Sequence, residues 1–201
     1  MKKLLAVTVL AAATTSLTVA QAQDFQQYVS AKAVLNHVNS KFELNNEDTK
    51  KSKNVGGLRL AYGAIFPAAD NNVRAEIEYG YNGKAKVNAD KRESETKSQS
   101  VMLNGYFDFN TGTAVTPYVG AGLGYARLKN TVTPEGKDSY SKSKGNFAWQ
   151  VGAGVSYAVN SNVDIDLAYR FMDYGKVDHK DNRGKAKMRG NEFSLGVRYN
   201  F

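Results

Sequence analysis

The chain has 201 residues, of which 42% are hydrophobic and 23% are charged, so its length favours one domain and its composition argues against wholesale disorder. Cysteine is absent, which excludes disulfides, thiol nucleophiles and cysteine-ligated metal centres. The formal charge of +8 permits anionic partners, nucleic acid among them, and the position of that charge along the chain decides between them.

The first twenty-two residues have the pattern of a secretory signal peptide. Lys2 and Lys3 precede an apolar run from Leu4 to Ala13, and Ala20-Gln21-Ala22 provides an A-x-A cleavage site. A short buried helix of a cytosolic domain is the alternative, but the basic flank, the run length and the cleavage site occur in the right order for export. We therefore expect residues 1–22 to be removed, and export argues against a nucleic-acid partner.

Apolar and polar residues alternate along the remaining chain, residues 23–201. From Phe147 to Tyr157, for example, every second residue is apolar. A period of two is typical of β-strands with one apolar and one polar face, and no helical period competes with it. Eight strands are predicted, at about residues 27–38, 55–66, 73–82, 99–109, 117–128, 146–158, 163–173 and 191–201.

The connections between these strands alternate in length. The short ones, at residues 67–72, 110–116 and 159–162, carry turn-forming residues. The other four connections are long and polar. Strict alternation of short and long connections predicts an up-and-down antiparallel sheet with every long loop at the same end. The predicted long loops span about residues 39–54, 83–98, 129–145 and 174–190.

The same alternation fits a soluble sandwich or lipocalin-type barrel with its apolar face inward, or a membrane barrel with that face outward. Aromatic residues favour the membrane barrel, because Phe147, Trp149 and Tyr157 lie towards the ends of an apolar face that is aliphatic between them. The strand lengths suit a tilted crossing of the hydrocarbon, and Phe201 lies on the apolar face of the last strand. We predict an all-β, eight-stranded antiparallel up-and-down transmembrane β-barrel of a Gram-negative outer membrane.

The polar face of such a barrel lines its lumen. Five basic and six acidic residues occupy that face, and they should pair because an unpaired buried charge is expensive. Side chains just fill an eight-stranded barrel, so we predict a plugged lumen, with inward glycines on strands five and six leaving room for long arginines. The predicted network comprises Lys32, Arg59, Arg74, Glu76, Glu78, Asp108, Asp164, Asp166, Arg170, Glu192 and Arg198.

The excess positive charge lies in the four long loops, which hold 19 basic and 10 acidic residues. A barrel that starts in the periplasm places these loops outside the cell. The last loop is the most basic, and its functional interpretation is a docking surface for anions such as lipopolysaccharide phosphates, heparan-like sugars or acidic host proteins. The alternative is a loop that merely keeps the protein soluble during export. Its basic residues are Lys176, Lys180, Arg183, Lys185, Lys187 and Arg189.

The C-terminal third resembles opacity-family outer-membrane proteins. Asp166-Leu-Ala-Tyr-Arg170, Tyr174-Gly-Lys-Val177 and the stretch Asn191–Phe201 resemble their closing hairpin, and Thr116–Tyr125 resembles their fifth strand. The resemblance covers the barrel throughout and is sharpest from Thr116 onward.

This resemblance implies an eight-stranded barrel whose surface loops mediate adhesion to host cells. It also implies that Tyr199 and Phe201 belong to the signal read by the barrel-assembly machinery. The loops of the family are variable, so no individual binding residue carries over. The expected partners are outer-membrane lipid and lipopolysaccharide, the assembly machinery, and host-cell receptors or sulfated glycans.

Small outer-membrane barrels also include enzymes that modify lipid A or cleave peptides, so the two histidines are candidate catalytic residues. His37 has Ser40 three positions on, and His179 lies beside Asp178 and Asp181. Neither has a compact nucleophile–base–acid neighbourhood in the sequence. We therefore predict no enzyme, metal or cofactor. A surface adhesin is the leading function, and a small diffusion channel or a purely structural envelope barrel are the alternatives.

Overall fold

The computed structural model describes residues 25–44, 47–89, 92–134, 140–178 and 185–201. No helix in these residues is long and apolar enough to cross a membrane. The expected signal peptide, residues 1–22, lies outside them. The strands are β1 (Gln26–Leu44), β2 (Glu47–Ala68), β3 (Asn71–Ala89), β4 (Arg92–Asp108), β5 (Val115–Pro134), β6 (Tyr140–Ala158), β7 (Val163–Asp178) and β8 (Lys185–Asn200).

Each strand pairs antiparallel with its neighbour in the sequence, and β1 also pairs with β8. The sheet is therefore a closed barrel, and the predicted fold class is confirmed. Closure lets the backbone groups of the ring pair within the sheet, which is what a spanning structure needs in a medium without water.

The distribution of polar and apolar side chains is inverted relative to a soluble protein. Leu195 and Leu167 point outward with 57% and 60% of their surface exposed, whereas Glu192 and Glu76 point inward and are 0% and 2% exposed. A soluble barrel of the lipocalin type would have the opposite arrangement. The continuous outward apolar surface fits the hydrocarbon of a bilayer.

Outward aromatic rings lie in two bands. Trp149 packs on Phe171 with ring centroids 5.6 Å apart, and Tyr169 packs on Phe193 at 4.9 Å, all towards the end with the long connections. Three further pairs lie at the opposite end, namely Phe25–Phe66, Phe107–Phe109 and Tyr199–Phe201. Two such bands around an aliphatic zone match the two interfaces of a membrane.

The strands continue beyond their predicted bounds at the outer end, which carries the long connections. In the predicted loop 39–54, for instance, β1 and β2 stay paired as far as Leu44 opposite Glu47. The strands likewise enter the predicted loops 83–98, 129–145 and 174–190. Outside the membrane neither face of a strand has to be apolar, so the alternation ends while the backbone pairing continues.

We expect Val197→Arg, an outward substitution at the middle of the apolar stretch of β8, to lower the free energy of unfolding by about 2–4 kcal/mol. The matched change Gln99→Arg, at an exposed outward position near the outer interface, should cost about 0–1 kcal/mol. Urea unfolding in lipid vesicles measures both. Equal costs at the two depths would contradict an outward face immersed in hydrocarbon.

Candidate functional site

All of the residues in the predicted lumen network lie on the inward face of the barrel. Ten are buried and Lys32 is partly buried. Each forms at least one ion pair with another member of the set. The structure thus brings these eleven side chains together in a middle level and an inner level along the barrel axis, and an uncharged level lies outside them.

The middle level joins opposite walls of the barrel. Arg170 on β7 donates Nη1 to Oε1 of Glu78 on β3 at 2.9 Å and to Oε2 at 3.2 Å. In a circle of eight strands, β3 and β7 are diametrically opposite. Arg170 also pairs with Glu192 on β8, and Glu192 pairs in turn with Arg59 on β2. These ion pairs occupy the width of the lumen.

Glu76 is the most heavily coordinated carboxylate of the middle level. It accepts hydrogen bonds from the hydroxyls of Tyr28 and Tyr106, each at 2.8 Å. The Asn104 side-chain nitrogen donates to it at 3.1 Å and the Lys32 ammonium at 3.4 Å. These donors come from β1 and β4, on the two sides of the carboxylate, and they offset much of the cost of removing its charge from water.

Arg74 organises the inner end of the lumen, beside the short turns. Its Nε lies 2.7 Å from Oδ2 of Asp108. The guanidinium carbon is 4.6 Å from the ring centroids of both Tyr106 and Tyr118, within the range of a cation–π contact. Aromatic faces therefore provide the remaining solvation of this buried cation.

Arg198 forms the second cluster at that end. It lies 3.0 Å from Asp164 and 3.8 Å from Asp166, and its Nη2 donates to the Ser156 hydroxyl at 2.8 Å. The adjacent strands β7 and β8 are thus joined by ion pairs at two levels, Arg198–Asp164 at the inner end and Arg170–Glu192 in the middle.

The outermost level is uncharged. The Tyr174 hydroxyl accepts hydrogen bonds from the side-chain nitrogens of Asn36 at 2.8 Å and Asn82 at 3.2 Å. Its ring belongs to a buried apolar cluster with Met102, Ala126, Ala148 and Met172. Since Asn82 is on β3 and Tyr174 on β7, this contact also spans the lumen.

Sequence reasoning did not identify these neutral lumen residues. The predicted network contains only charged residues, whereas the same face also carries uncharged polar ones. These are Tyr28, Asn36, Asn104 and Tyr106. The alternation alone could have placed them there. Tyr174 continues the inward alternation of Arg170 and Met172, but the predicted strand ends at residue 173 and the predicted loop begins at Tyr174.

Gly152 illustrates how small residues make room for the network. A Cβ at this position would lie 2.6 Å from the Arg170 Cβ and 2.6 Å from the Tyr169 carbonyl oxygen. Close approach of β6 and β7 therefore requires glycine here. Gly152, Lys32 and Arg170 also border a cavity of about 30 Å³, which has room for only one or two water molecules.

The predicted anion-binding loop is described in part. Lys176 lies in β7, and Lys185, Lys187 and Arg189 lie in β8, while Lys180 and Arg183 lie outside the described residues. The Arg189 side chain is 47% exposed, and its Nε is 3.2 Å from Oδ2 of Asp173. Its guanidinium also approaches the Phe171 ring, at 6.0 Å. Arg189 thus already has an anionic partner within the protein.

The two residues of the predicted assembly signal lie on the outside of the barrel. Tyr199 and Phe201 are 49% and 55% exposed and stack with centroids 6.3 Å apart. The Phe201 backbone N–H donates to the Gln27 carbonyl at 2.9 Å. The last residue therefore takes part in joining β8 to β1.

The histidines show no catalytic arrangement among the described residues. His37 is exposed, and its Nδ1 lies 2.6 Å from Oδ1 of Asn54. His179 lies outside the described residues. Within the described part of the chain, no three His, Asp or Glu side chains are grouped so as to hold a metal ion.

A protein-family model described as the outer membrane protein beta-barrel domain matches residues 5–201. The chain belongs to this family. Outer membrane protein PagN of Salmonella typhimurium is 31% identical over 181 residues, covering 77% of this chain and 75% of PagN. Opacity protein V28 of Neisseria gonorrhoeae is 24% identical, covering 73% and 74% of the two chains. The resemblance to opacity proteins and the Gram-negative outer-membrane location are confirmed.

Two solved outer-membrane barrel structures have a similar fold. Neisserial surface protein A is 28% identical with a TM-score of 0.59, covering 87% of this chain and 97% of its own. Ail, the attachment invasion locus protein of Yersinia pestis, was solved with the heparin analogue sucrose octasulfate; it is 22% identical with a TM-score of 0.50, covering 87% and 99%. The likeness to Ail shows the fold.

We expect Arg59→Ala to lower the free energy of unfolding by about 3–5 kcal/mol, because it leaves buried Glu192 without one of its two cations. Arg189→Ala removes the same residue type from an exposed ion pair and should cost about 0–1 kcal/mol. Urea unfolding of both variants in vesicles compares them. A small cost for Arg59→Ala would show that the lumen network is not tightly coupled.

Proposed function

We propose that this protein is a surface adhesin whose basic outer end binds anionic glycans, with sulfated host-cell chains as the ligand class. The barrel is its rigid support. The observation that carries the proposal is the separation of charge. The lumen charges are paired with one another, whereas the four outer connections hold nine more basic than acidic residues. A concentrated basic surface attracts anions from solution.

A plugged lumen is part of this proposal. Two contacts support it, because Arg170–Glu78 and Tyr174–Asn82 each join β7 to the opposite strand β3. One is ionic and the other neutral, and they lie at different levels. A solute would have to break both to pass. The same observations disfavour the diffusion channel.

We also propose that the protein is not an enzyme. The exposed His37 has an amide neighbour in place of the carboxylate that would orient a catalytic base. The sulfated sugar in the Ail structure suggests a suitable probe for this chain. Because that likeness shows the fold alone, the location of binding is argued from the charges of this chain.

Adherence to epithelial cells, by a non-adherent Gram-negative host that displays the protein, tests the proposal. The variant Lys176→Gln/Lys180→Gln/Arg183→Gln/Lys185→Gln/Lys187→Gln should lower adherence about tenfold, since each exposed charge contact contributes a few tenths of a kcal/mol. Arg189 is left unchanged because Asp173 already pairs with it. Glutamine keeps the backbone pairing of β7 and β8, which shortening the loop would not.

The control acts on the same loop in the opposite sense. Asp178→Asn/Asp181→Asn removes two acidic residues and should strengthen adherence. Raising the ionic strength from about 0.15 M to about 1 M shortens the screening length from about 8 Å to about 3 Å and should weaken adherence. No adherence by a correctly folded wild-type protein would favour a structural role instead.

Conductance in planar bilayers tests the plug. The wild-type protein should show no steady conductance, whereas Arg170→Ala/Tyr174→Ala removes both contacts between β3 and β7 and should conduct. Arg189→Ala/Tyr157→Ala removes the same residue types from outward positions and should stay closed. An open wild-type pore would restore the channel hypothesis.

A further inference from the structure

The lysine and arginine side chains on the outside of the barrel wall lie at one end of the molecule. Among the side chains that the structure describes, the outward-facing ones are Lys97, Arg127 and Arg189, and all three are near the outer end. The short connections at the inner end contain no lysine or arginine. Basic residues collect at the membrane surface that carries anionic headgroups. In a Gram-negative outer membrane, the phosphates of lipid A belong to the outer leaflet.

Two of these cations lie on adjacent strands. Arg127 on β5 is directly opposite Gln99 on β4, and Lys97 is two residues farther out along β4. Gln99 is in turn opposite Tyr81 on β3. Directly opposed side chains have Cβ atoms about 4.5–5.5 Å apart, and long side chains also reach their diagonal neighbours. We call Tyr81, Lys97, Gln99 and Arg127 the donor patch, because each side chain can donate a hydrogen bond.

A tyrosine hydroxyl lies on the other side of Arg127. Gly145 on β6 is directly opposite Arg127, and a Cβ at Gly145 would collide with the hydroxyl and the ring of Tyr125. The Tyr125 ring therefore lies across Gly145, where a larger residue would displace it. This position brings the hydroxyl within reach of the Arg127 side chain, so a further donor borders the patch.

The Arg127 guanidinium is available to an external anion. Within the described part of the chain it forms no ion pair or hydrogen bond, whereas Arg189 is paired with Asp173. Arg127 is exposed and lies two residues, about 7 Å of strand, beyond Tyr125. Tyr125 faces Phe147 across the register, and both rings point outward. Outward aromatic rings mark the headgroup level, so Arg127 is at the depth of lipid phosphates.

The wall just below the donor patch is aliphatic. Val101 and Leu103 follow Gln99 towards the membrane centre along β4, and Leu123 on β5 is opposite Leu103. These three side chains are 48%, 60% and 55% exposed. A molecule that joins a phosphate to acyl chains matches both zones, with the phosphate at the donor patch and the chains against the aliphatic surface.

We propose that the donor patch binds a phosphate group of lipid A, with Arg127 as its principal ligand and the acyl chains against Leu103 and Leu123. Lipid A is favoured over a phospholipid because the described outward cations are confined to the outer end. A guanidinium can hold a phosphate through two parallel hydrogen bonds. The site lies on the barrel wall, so it goes beyond the proposed function and does not depend on it.

The test measures lipid binding to the protein purified from outer membranes and exchanged into detergent free of lipopolysaccharide. Native mass spectrometry during a titration with diphosphorylated lipid A counts the bound lipid and gives its dissociation constant. The variant Arg127→Gln is compared with Arg189→Gln, which removes the same residue type from the same end of the wall. Arg127→Lys keeps the charge. Heat-modified migration on a gel verifies that each barrel is folded.

Arg127→Gln should bind lipid A about fivefold more weakly than wild type, the factor typical of one cation at a charged lipid surface. Arg189→Gln should lose about twofold or less, because Asp173 already pairs with Arg189. Arg127→Lys should keep most of the affinity. Gln99→Lys adds a cation to the donor patch and should strengthen binding about threefold. Lipid A without its phosphates should bind weakly and should not distinguish Arg127→Gln from wild type.

Equal losses in Arg127→Gln and Arg189→Gln would overturn the site, because binding would then depend on total charge at the outer end. Discrimination between Arg127→Gln and wild type by phosphate-free lipid A would also overturn it, since Arg127 would not be acting on the phosphate. Equal affinity for phosphatidylglycerol, with the same dependence on Arg127, would overturn the assignment to lipid A in favour of anionic lipids in general. None of these results bears on adherence to cells, which tests the adhesin proposal separately.

Discussion

Hydrocarbon offers a peptide group no hydrogen-bond partner, so the backbone must pair with itself. The pairing of β1 with β8 closes the ring and removes the two edges that an open sheet would expose to lipid. Closing a ring of eight strands makes the interior narrow, so side chains from opposite walls meet. Arg170 and Glu78 are 2.9 Å apart because the circle is small. The polar side chains can point only into the lumen, so their charges must neutralise one another. The lumen network is thus a consequence of the same constraint that sets the outward apolar face.

Buried ion pairs are weak evidence for net stability, because desolvation cancels much of the attraction. Their more certain effect is on register. A slip of β3 by one residue would turn Arg74, Glu76 and Glu78 towards lipid and bring Ile77 into the lumen. Partners on β1, β2, β4 and β7 would lose their contacts at the same time. The network therefore penalises misregistered barrels more strongly than it stabilises the correct one.

The sequence could predict what the bilayer dictates and little beyond it. Strand number, order and the inward charges follow from the period of two, which lipid imposes on every crossing. The strand extensions do not, because residues such as Lys41 and Lys50 pair in water where neither face must be apolar. Tyr174 was assigned to a loop for the same reason. Its inward position continues the alternation of Arg170 and Met172, whereas the register shift between Asp173 and Lys176 is a property of the folded pair β7–β8.

The number of ionic partners of a charged side chain decreases from the membrane interior outward, as its access to water increases. Inside the membrane, Glu192 is fully buried and meets two arginines. At the outer interface, Arg189 is half exposed and meets one aspartate. Farther out, lysines directly face lysines across the register, as Lys41 faces Lys50 and Lys187, an arrangement tolerable only where water and ions screen it. Because the cost of unpaired charge falls in that direction, the outer ends of the strands can retain positive charge for an external anion.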